Sequence, residues 1–240
     1  LLAMPRDKII LSVSYAGEFM GADVRYTRLI LIHTKEYWAE LLGRKNGVVE
    51  GDNVIHIAKD GSYALVSVQA SIYDYPSVFR YDLDRKGTIK SLQGPREGVW
   101  NWVADNTGVV RMGTGWQGRQ LRVFYRSRDG EPLKLVGKLK EGDDDSKFWS
   151  VAQIVSGSDR GYGVGAREEG GRVGLHLYDY TTGEIVETVY ENPDWDVDDV
   201  LWRDSKPLAV FYTDDRDRVV WFDDKQSKLY DALGKALPEE

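Results

Sequence analysis

Apolar and polar residues alternate in short runs along most of this chain, and turns rich in Gly, Asp, Ser and Thr separate the runs. The stretch VGLHLYDYTTGEIVETVY, from Val173 to Tyr190, shows the pattern. An alternating run ends in an aromatic-Asp pair, a two-threonine turn closes at Gly183, and a second alternating run follows. Alternation of period two interrupted by such a turn predicts a pair of antiparallel strands.

The same arrangement recurs. Tyr81-Asp82 in SVFRYDLDRKGTIKSL and Phe222-Asp223 in RVVWFDDKQSKL match Tyr178-Asp179. The interval from Asp82 to Asp179 is about twice that from Asp179 to Asp223, and QLRVFYRSRDGEPLKLV, with Tyr125-Arg126, falls in the gap. Four copies result, with a period in the mid-forties to low fifties.

Two further strand-like runs precede each copy: NVIHIAKDG and SYALVSVQAS before Tyr81, GVWNWVADNTG and VVRMGTGW before Tyr125, KFWSVAQIVSGSDRG and YGVGAR before Tyr178, VDDVLWRDSK and PLAVFYTDD before Phe222. A repeat of four short antiparallel strands at this period is the sequence signature of a β-propeller blade. A solenoid of helix pairs would show a 3.6-residue period, and an immunoglobulin-like sandwich would not repeat its third strand four times.

Upstream, DKIILSVSYAG and TRLILIHTKEY supply strands of one more unit, while EYWAELLGRKN, from Glu36 to Asn46, predicts a short helix or insertion. The expectation is an all-β propeller of about five blades or part-blades, a complete or incomplete ring, with residues 1–240 as one domain or propeller fragment. At the C-terminus the period changes. Leu229, Ala232, Leu233, Ala236 and Leu237 fall at helical spacing, Asp223 or Asp224 stands where a cap is needed, and Pro238 follows. A helix is predicted there, its apolar side covering something apolar.

Composition narrows the picture. Among 240 residues there are 8 Trp, 14 Tyr and 25 Gly, a balance that favours pleated strands and tight turns. With 32 basic against 39 acidic residues the net charge is -7, so no basic stripe is available for a phosphate backbone and nucleic acid is not an expected partner. The absence of Cys excludes disulfides, zinc-thiolate sites and thiol nucleophiles, and leaves both cytoplasm and periplasm open. The longest apolar run, RLILIH, is far shorter than the roughly 20 residues of a spanning helix, so no membrane partner is expected. The first residues, LLAMPRDKIILSV, lack a basic leader and a complete apolar signal core, and they read as the interior of a strand-rich domain.

Three segments in order carry a family resemblance: SVFRYDLDRKGTIKSLQGPREGVWNWVADNTGVVRMG, LRVFYRSRDGEPLKLVG and ENPDWDVDDVLWRDSKPLAVFYTDDRDRVVWFDDKQSKLYDALGKALP. Together they resemble the non-catalytic propeller of bacterial prolyl oligopeptidase family serine peptidases, over most of the chain from about Asp52 onward. The resemblance implies a hydrolase domain elsewhere, with a Ser, Asp, His triad whose Ser sits on a G-x-S-x-G elbow. This chain has no G-x-S-x-G, and VSGSDRG, Val155 to Gly161, lacks the spacing. It further implies that the propeller gates the access of peptide substrates to that absent domain, and that the family's ring closes with more blades than about five.

No catalytic residue, metal site or cofactor is expected within the chain. His33, His56 and His176 each sit inside an alternating run and lack the close spacing of a metal pair, so each reads as structural. Asp143, Asp144 and Asp145 cluster without the ligand alternation of a calcium loop. Glu168 and Glu169 in REEGGR are the substrate-contact candidates: the resemblance extends to a dipeptidyl branch in which paired propeller glutamates hold a substrate amino terminus, and two carboxylates can bind an ammonium, although the flanking residues do not match that branch. The bland reading is a polar hairpin tip.

Trp100, Trp102, Trp149 and Trp202 occupy first-strand segments and are expected to pack between blades. Trp116 and Trp195 are read as loop residues, open to a carbohydrate-stacking role but without sugar-binding polar groups beside them. Two other readings stand beside the gating one: a free-standing propeller that binds a protein or small ligand, and a propeller with catalytic carboxylates in its channel.

Overall fold

The computed structural model describes residues 2–4, 7–43, 49–140, 151–167 and 170–236. The first sheet comprises β1 (Leu2–Met4), β2 (Lys8–Phe19), β3 (Ala22–His33) and β4 (Trp38–Leu41). The second has β5 (Glu50–Ile57), β6 (Tyr63–Gln69), β7 (Ser77–Asp82) and β8 (Ile89–Gln93), and the third β9 (Asn101–Ala104), β10 (Val110–Gln117), β11 (Gln120–Tyr125) and β12 (Lys134–Lys140). A fourth contains β13 (Val151–Ile154), β14 (Arg160–Ala166), β15 (Val173–Asp179) and β16 (Glu184–Tyr190). In the last, β17 (Asp199–Arg203), β18 (Lys206–Thr213) and β19 (Asp217–Trp221) are followed by helix α1 (Asp224–Ala236).

Every sheet is an antiparallel meander in chain order, so the fold is all-β with one C-terminal helix, and the repeating unit is the one the sequence predicts. Tyr81-Asp82 ends β7, Tyr125 ends β11, Tyr178-Asp179 ends β15, and Phe222-Asp223 follows β19, each at the third strand of its sheet. The stretch quoted first is β15 and β16.

The Asp of these pairs has a physical task. Asp82 Oδ1 accepts the N–H groups of Asp84 at 2.9 Å and Arg85 at 3.1 Å, and Asp179 Oδ1 accepts the N–H of Thr181 at 2.9 Å and its hydroxyl at 2.6 Å. Such side-chain bonds to the following backbone fix a turn. Asp223 Oδ1 does the same to Lys225 and Gln226, at 2.9 and 3.0 Å, but the chain then continues as α1.

The chain divides into two compact units, Leu1–Glu141 with the first three sheets and Gly142–Glu240 with the last two and α1. In the first unit, Ile10, Leu29, Leu31 and Leu42 pack on Ala64, Val66, Val68, Tyr81 and Leu83. The opposite face of the second sheet presents Leu65 and Val78 to Val99, Trp102, Val110 and Phe124 of the third. Strand β6 is therefore buried on both faces, which explains its unbroken apolar reading. The second unit centres on Leu175, Val197, Val200 and Val210.

Trp102 is buried in the first unit and its indole N–H donates to the Pro76 carbonyl at 2.8 Å. Its ring lies where a Cβ on Gly113 would approach to 2.7 Å, so only glycine fits there. Trp202 packs against Tyr162 between the two sheets of the second unit, with ring centroids 5.6 Å apart. Both meet the packing expectation. Trp100 differs, being 40% exposed beside Tyr75, and Trp149 lies outside the described residues.

Three local expectations are corrected. Residues 38–41, expected to be helical, form strand β4: Tyr37 takes a positive φ of 53° to reverse the chain, and Trp38 then stacks on His33 with centroids 3.7 Å apart. Trp116 belongs to strand β10 rather than a loop, paired with Leu121. Helix α1 forms, but no residue in it is buried, and Leu229, Tyr230 and Leu233 are each about half exposed, so its apolar side is not covered by the described residues. Its ring contact is Tyr230 on Trp221, 5.7 Å apart. Leu237 and Pro238 lie outside the described residues. Among the described residues no helix is long and apolar enough to cross a membrane.

Candidate functional site

Each histidine occupies a different sheet. His33, at the end of β3, is sandwiched on Trp38 with Nδ1 3.8 Å from Glu36. His56, on β5, places Nε2 3.4 Å from the Tyr63 hydroxyl, and burial lowers its pKa against the opposing charge of Asp105. His176, on β15, is fully buried, with Nε2 3.0 Å from the Gly165 carbonyl and Nδ1 3.3 Å from the Thr188 hydroxyl. Because a carbonyl only accepts, Nε2 carries the proton and Nδ1 accepts from Thr188. Burial lowers this pKa too, opposed by the Gly165 bond and by Glu191.

The His176–Thr188 contact is the nearest approach to a nucleophile beside a base. The second ring nitrogen is held by a carbonyl rather than a carboxylate, and the ring has no exposed surface, so the group is a satisfied core histidine. Among the described residues no group of three or more His, Asp or Glu could hold a metal.

Two charged groups within the first unit are buried, and the sequence reading singled out neither. Lys8, on β2, donates to the Gly61 carbonyl at 2.9 Å and to the Asp84 carboxylate, joining the first sheet to the second. Arg111, on β10, pairs with Asp105 at 3.0 Å, donates to the Arg126 carbonyl at 2.8 Å and reaches the Tyr125 hydroxyl. Asp105 also accepts from Thr107 and Val109, so both charges are paired and hydrogen-bonded as burial requires. The available signal was a lone cation inside an apolar run, VVRMG.

A groove of 560 Å³ lies between the first two sheets, with residues 39–43 on one side and Tyr81, Asp82 and residues 87–89 on the other. Gly43 has a positive φ of 69°, and a Cβ there would meet the Tyr81 hydroxyl at 2.7 Å. Tyr81 is 97% buried by side-chain packing, or 3% exposed, and burial pushes its hydroxyl up to about 12 against the opposing charge of Arg28. The phenol is therefore a neutral donor at the groove wall.

β4 forms the free edge of the first sheet. The Leu42 N–H bonds the Leu29 carbonyl, and with the register Ile30 to Leu41 the backbone groups of Ala39 and Leu41 point away from β3. Among the described residues no backbone bond reaches them.

Exposed aromatics mark one end of the sheets in the first unit. Met20 sits at the tip of the β2–β3 hairpin, where Phe19 approaches Tyr73 with centroids 6.2 Å apart, and Tyr75 tilts on Trp100 at 4.9 Å. Second-to-third and fourth-to-first strand connections share that end in a meander, so Met20, Tyr73, Trp100 and Trp116 lie on it together. In the second unit Trp195 is an exposed loop residue, as expected.

Glu168, Glu169 and Asp143, Asp144 and Asp145 lie outside the described residues. Beside the glutamates' position, a polar cleft of 580 Å³ runs between residues 170–172 and 191–193, where Arg172 meets Asp196 at 3.6 Å.

No protein-family model matches the chain, and no curated protein matches it. Among solved structures the chain is similar to the β-propeller domain of the Trilobed protease from Pyrococcus furiosus, described as having an open velcro topology, at 9% identity and a TM-score of 0.45, covering 92% of this chain and 79% of that one.

Proposed function

We propose that residues 1–240 are a non-catalytic β-propeller, or propeller segment, of a prolyl oligopeptidase-like serine peptidase, and that the module gates the access of peptides to a hydrolase domain outside this sequence. The observation that carries the reading is the succession of antiparallel meanders whose third strands end in the same aromatic and turn residues, the arrangement that the resembling segments share. Its contribution would be steric: blades over a cleft admit short extended peptides and exclude folded chains. Among the described residues no serine hydroxyl is bonded to a histidine, which is consistent with chemistry residing elsewhere.

A serine-directed fluorophosphonate probe, with chromogenic prolyl and alanyl peptides, tests this on the isolated chain. The expected result is neither labelling nor turnover. Labelling of a serine would overturn the accessory role. A second reading, a free-standing binding module, is favoured by the exposed Met20, Tyr73, Trp100 and Trp116 at one end of the first unit. A G-x-S-x-G segment in the same reading frame would select the peptidase reading, and its absence the binding module.

A further inference from the structure

We propose that the groove beside β4 captures an extended, positively charged peptide segment by adding it as a further strand to the first sheet. This site stands independently of the gating role, because it uses the outer edge of a sheet and needs no hydrolase domain.

Three observations converge on it. Ala39 and Leu41 offer outward N–H and C=O groups at the alternating spacing that an added strand requires. The Tyr81 hydroxyl, on a side chain 3% exposed, lines the groove as a neutral donor with no hydrogen bond to the described residues, so a buried polar atom there awaits an acceptor such as a peptide carbonyl. The walls supply the side-chain pocket. Leu42 and Ile89 give it an apolar floor, while Glu40 and Asp82 are the ionisable acids that line it, with no Lys or Arg among the lining residues.

That imbalance favours a cationic occupant over a neutral or acidic one. The open edge also lacks the lysine, proline or bulge with which sheets commonly discourage strand addition. Alternate side chains of the bound segment would face the pocket, so an apolar residue flanked by Arg or Lys is the pattern that fits.

The test is fluorescence anisotropy of the intact chain with a labelled peptide, Arg-Val-Lys-Val-Thr-Val-Arg, beside its Glu-for-Arg and Glu-for-Lys counterpart and a form N-methylated at alternate residues. Saturable binding of the cationic peptide is expected, weakened about tenfold or more by either change, as befits lost main-chain bonds or reversed charge. Leu41→Pro removes an outward N–H while sparing the ladder to β3, and should weaken binding about tenfold. Tyr81→Phe, which keeps the ring, should weaken it about three- to tenfold. Circular dichroism and urea midpoints establish that both variants fold. Absence of binding by the cationic peptide, equal binding of the N-methylated form, or folded Leu41→Pro binding as tightly as the parent chain would each overturn the proposal. None of these outcomes bears on serine labelling.

Discussion

Arg111 and Asp105 form an ion pair at 3.0 Å with side chains only 2% and 3% exposed, at the centre of a network that also holds the Tyr125 hydroxyl and the Arg126 carbonyl. A buried charge stripped of its partner retains its full desolvation cost. Asp105→Ala or Arg111→Met alone should therefore destabilise the first unit by about 3–5 kcal/mol, read from urea unfolding. The double variant should cost less than the sum of the two, because it leaves no orphaned charge. Additive losses would show that the pair is not coupled.

The turn aspartates differ from this pair in being accessible, and their substitution should cost less. Asp179→Ala loses the bonds to the Thr181 N–H and hydroxyl and should cost about 1 kcal/mol. Thr181 and its backbone hold the Asp179 carboxyl below the ordinary carboxylate range. A depressed folded-state pKa means that the stabilisation is complete above the ordinary Asp value and fades as pH falls through the lowered one. Acid unfolding of the second unit should thus begin at higher pH in Asp179→Ala.

For His176 the relevant window is milder. Burial favours its neutral form, so the unfolded chain takes up this proton before the folded chain does. The resulting stability is complete above the ordinary value of 6.5 and is lost as pH falls from there toward the lowered value. Urea midpoints measured from neutral pH down to about 5 should decline, and His176→Asn should flatten the decline while lowering stability at neutral pH. An unchanged slope would place the pH dependence on other groups, His56 first.

The exposed and buried leucines give a contrast within one molecule. Leu229→Ala and Leu233→Ala, on half-exposed positions of α1, should each change stability by no more than about 0.5 kcal/mol. Leu65→Ala, fully buried between two sheets, should cost about 2–5 kcal/mol. Asp223→Ala should cost about 1 kcal/mol through the helix cap, visible as lost helical ellipticity.

Strand order and sheet boundaries were legible because period-two alternation and Asp-led turns repeat with the same spacing. The segment from Glu36 to Asn46 misled because Trp38, Leu41 and Leu42 also fit a helical stripe, and the pairing with Ile30 to His33 that overrides it is tertiary. Trp116 was placed in a loop since GTGW looks like turn chemistry, yet Gly115 is needed because a Cβ would strike the Gly98 carbonyl at 2.1 Å. The β4 groove left no trace in the sequence: Tyr81 was recognised as a repeat marker, and nothing in a marker reveals that its hydroxyl meets Gly43 from another sheet.

The Asp that closes each third strand works equally well before a returning strand, as at Asp82 and Asp179, and before a helix, as at Asp223. Duplication of a unit ending in such a turn leaves the last copy free to diverge beyond it. The residues after Asp223 could be rewritten from sheet to helix without disturbing the ladder between β18 and β19, so a tandem array of this kind can acquire a new terminus by changing about a dozen residues and no turn.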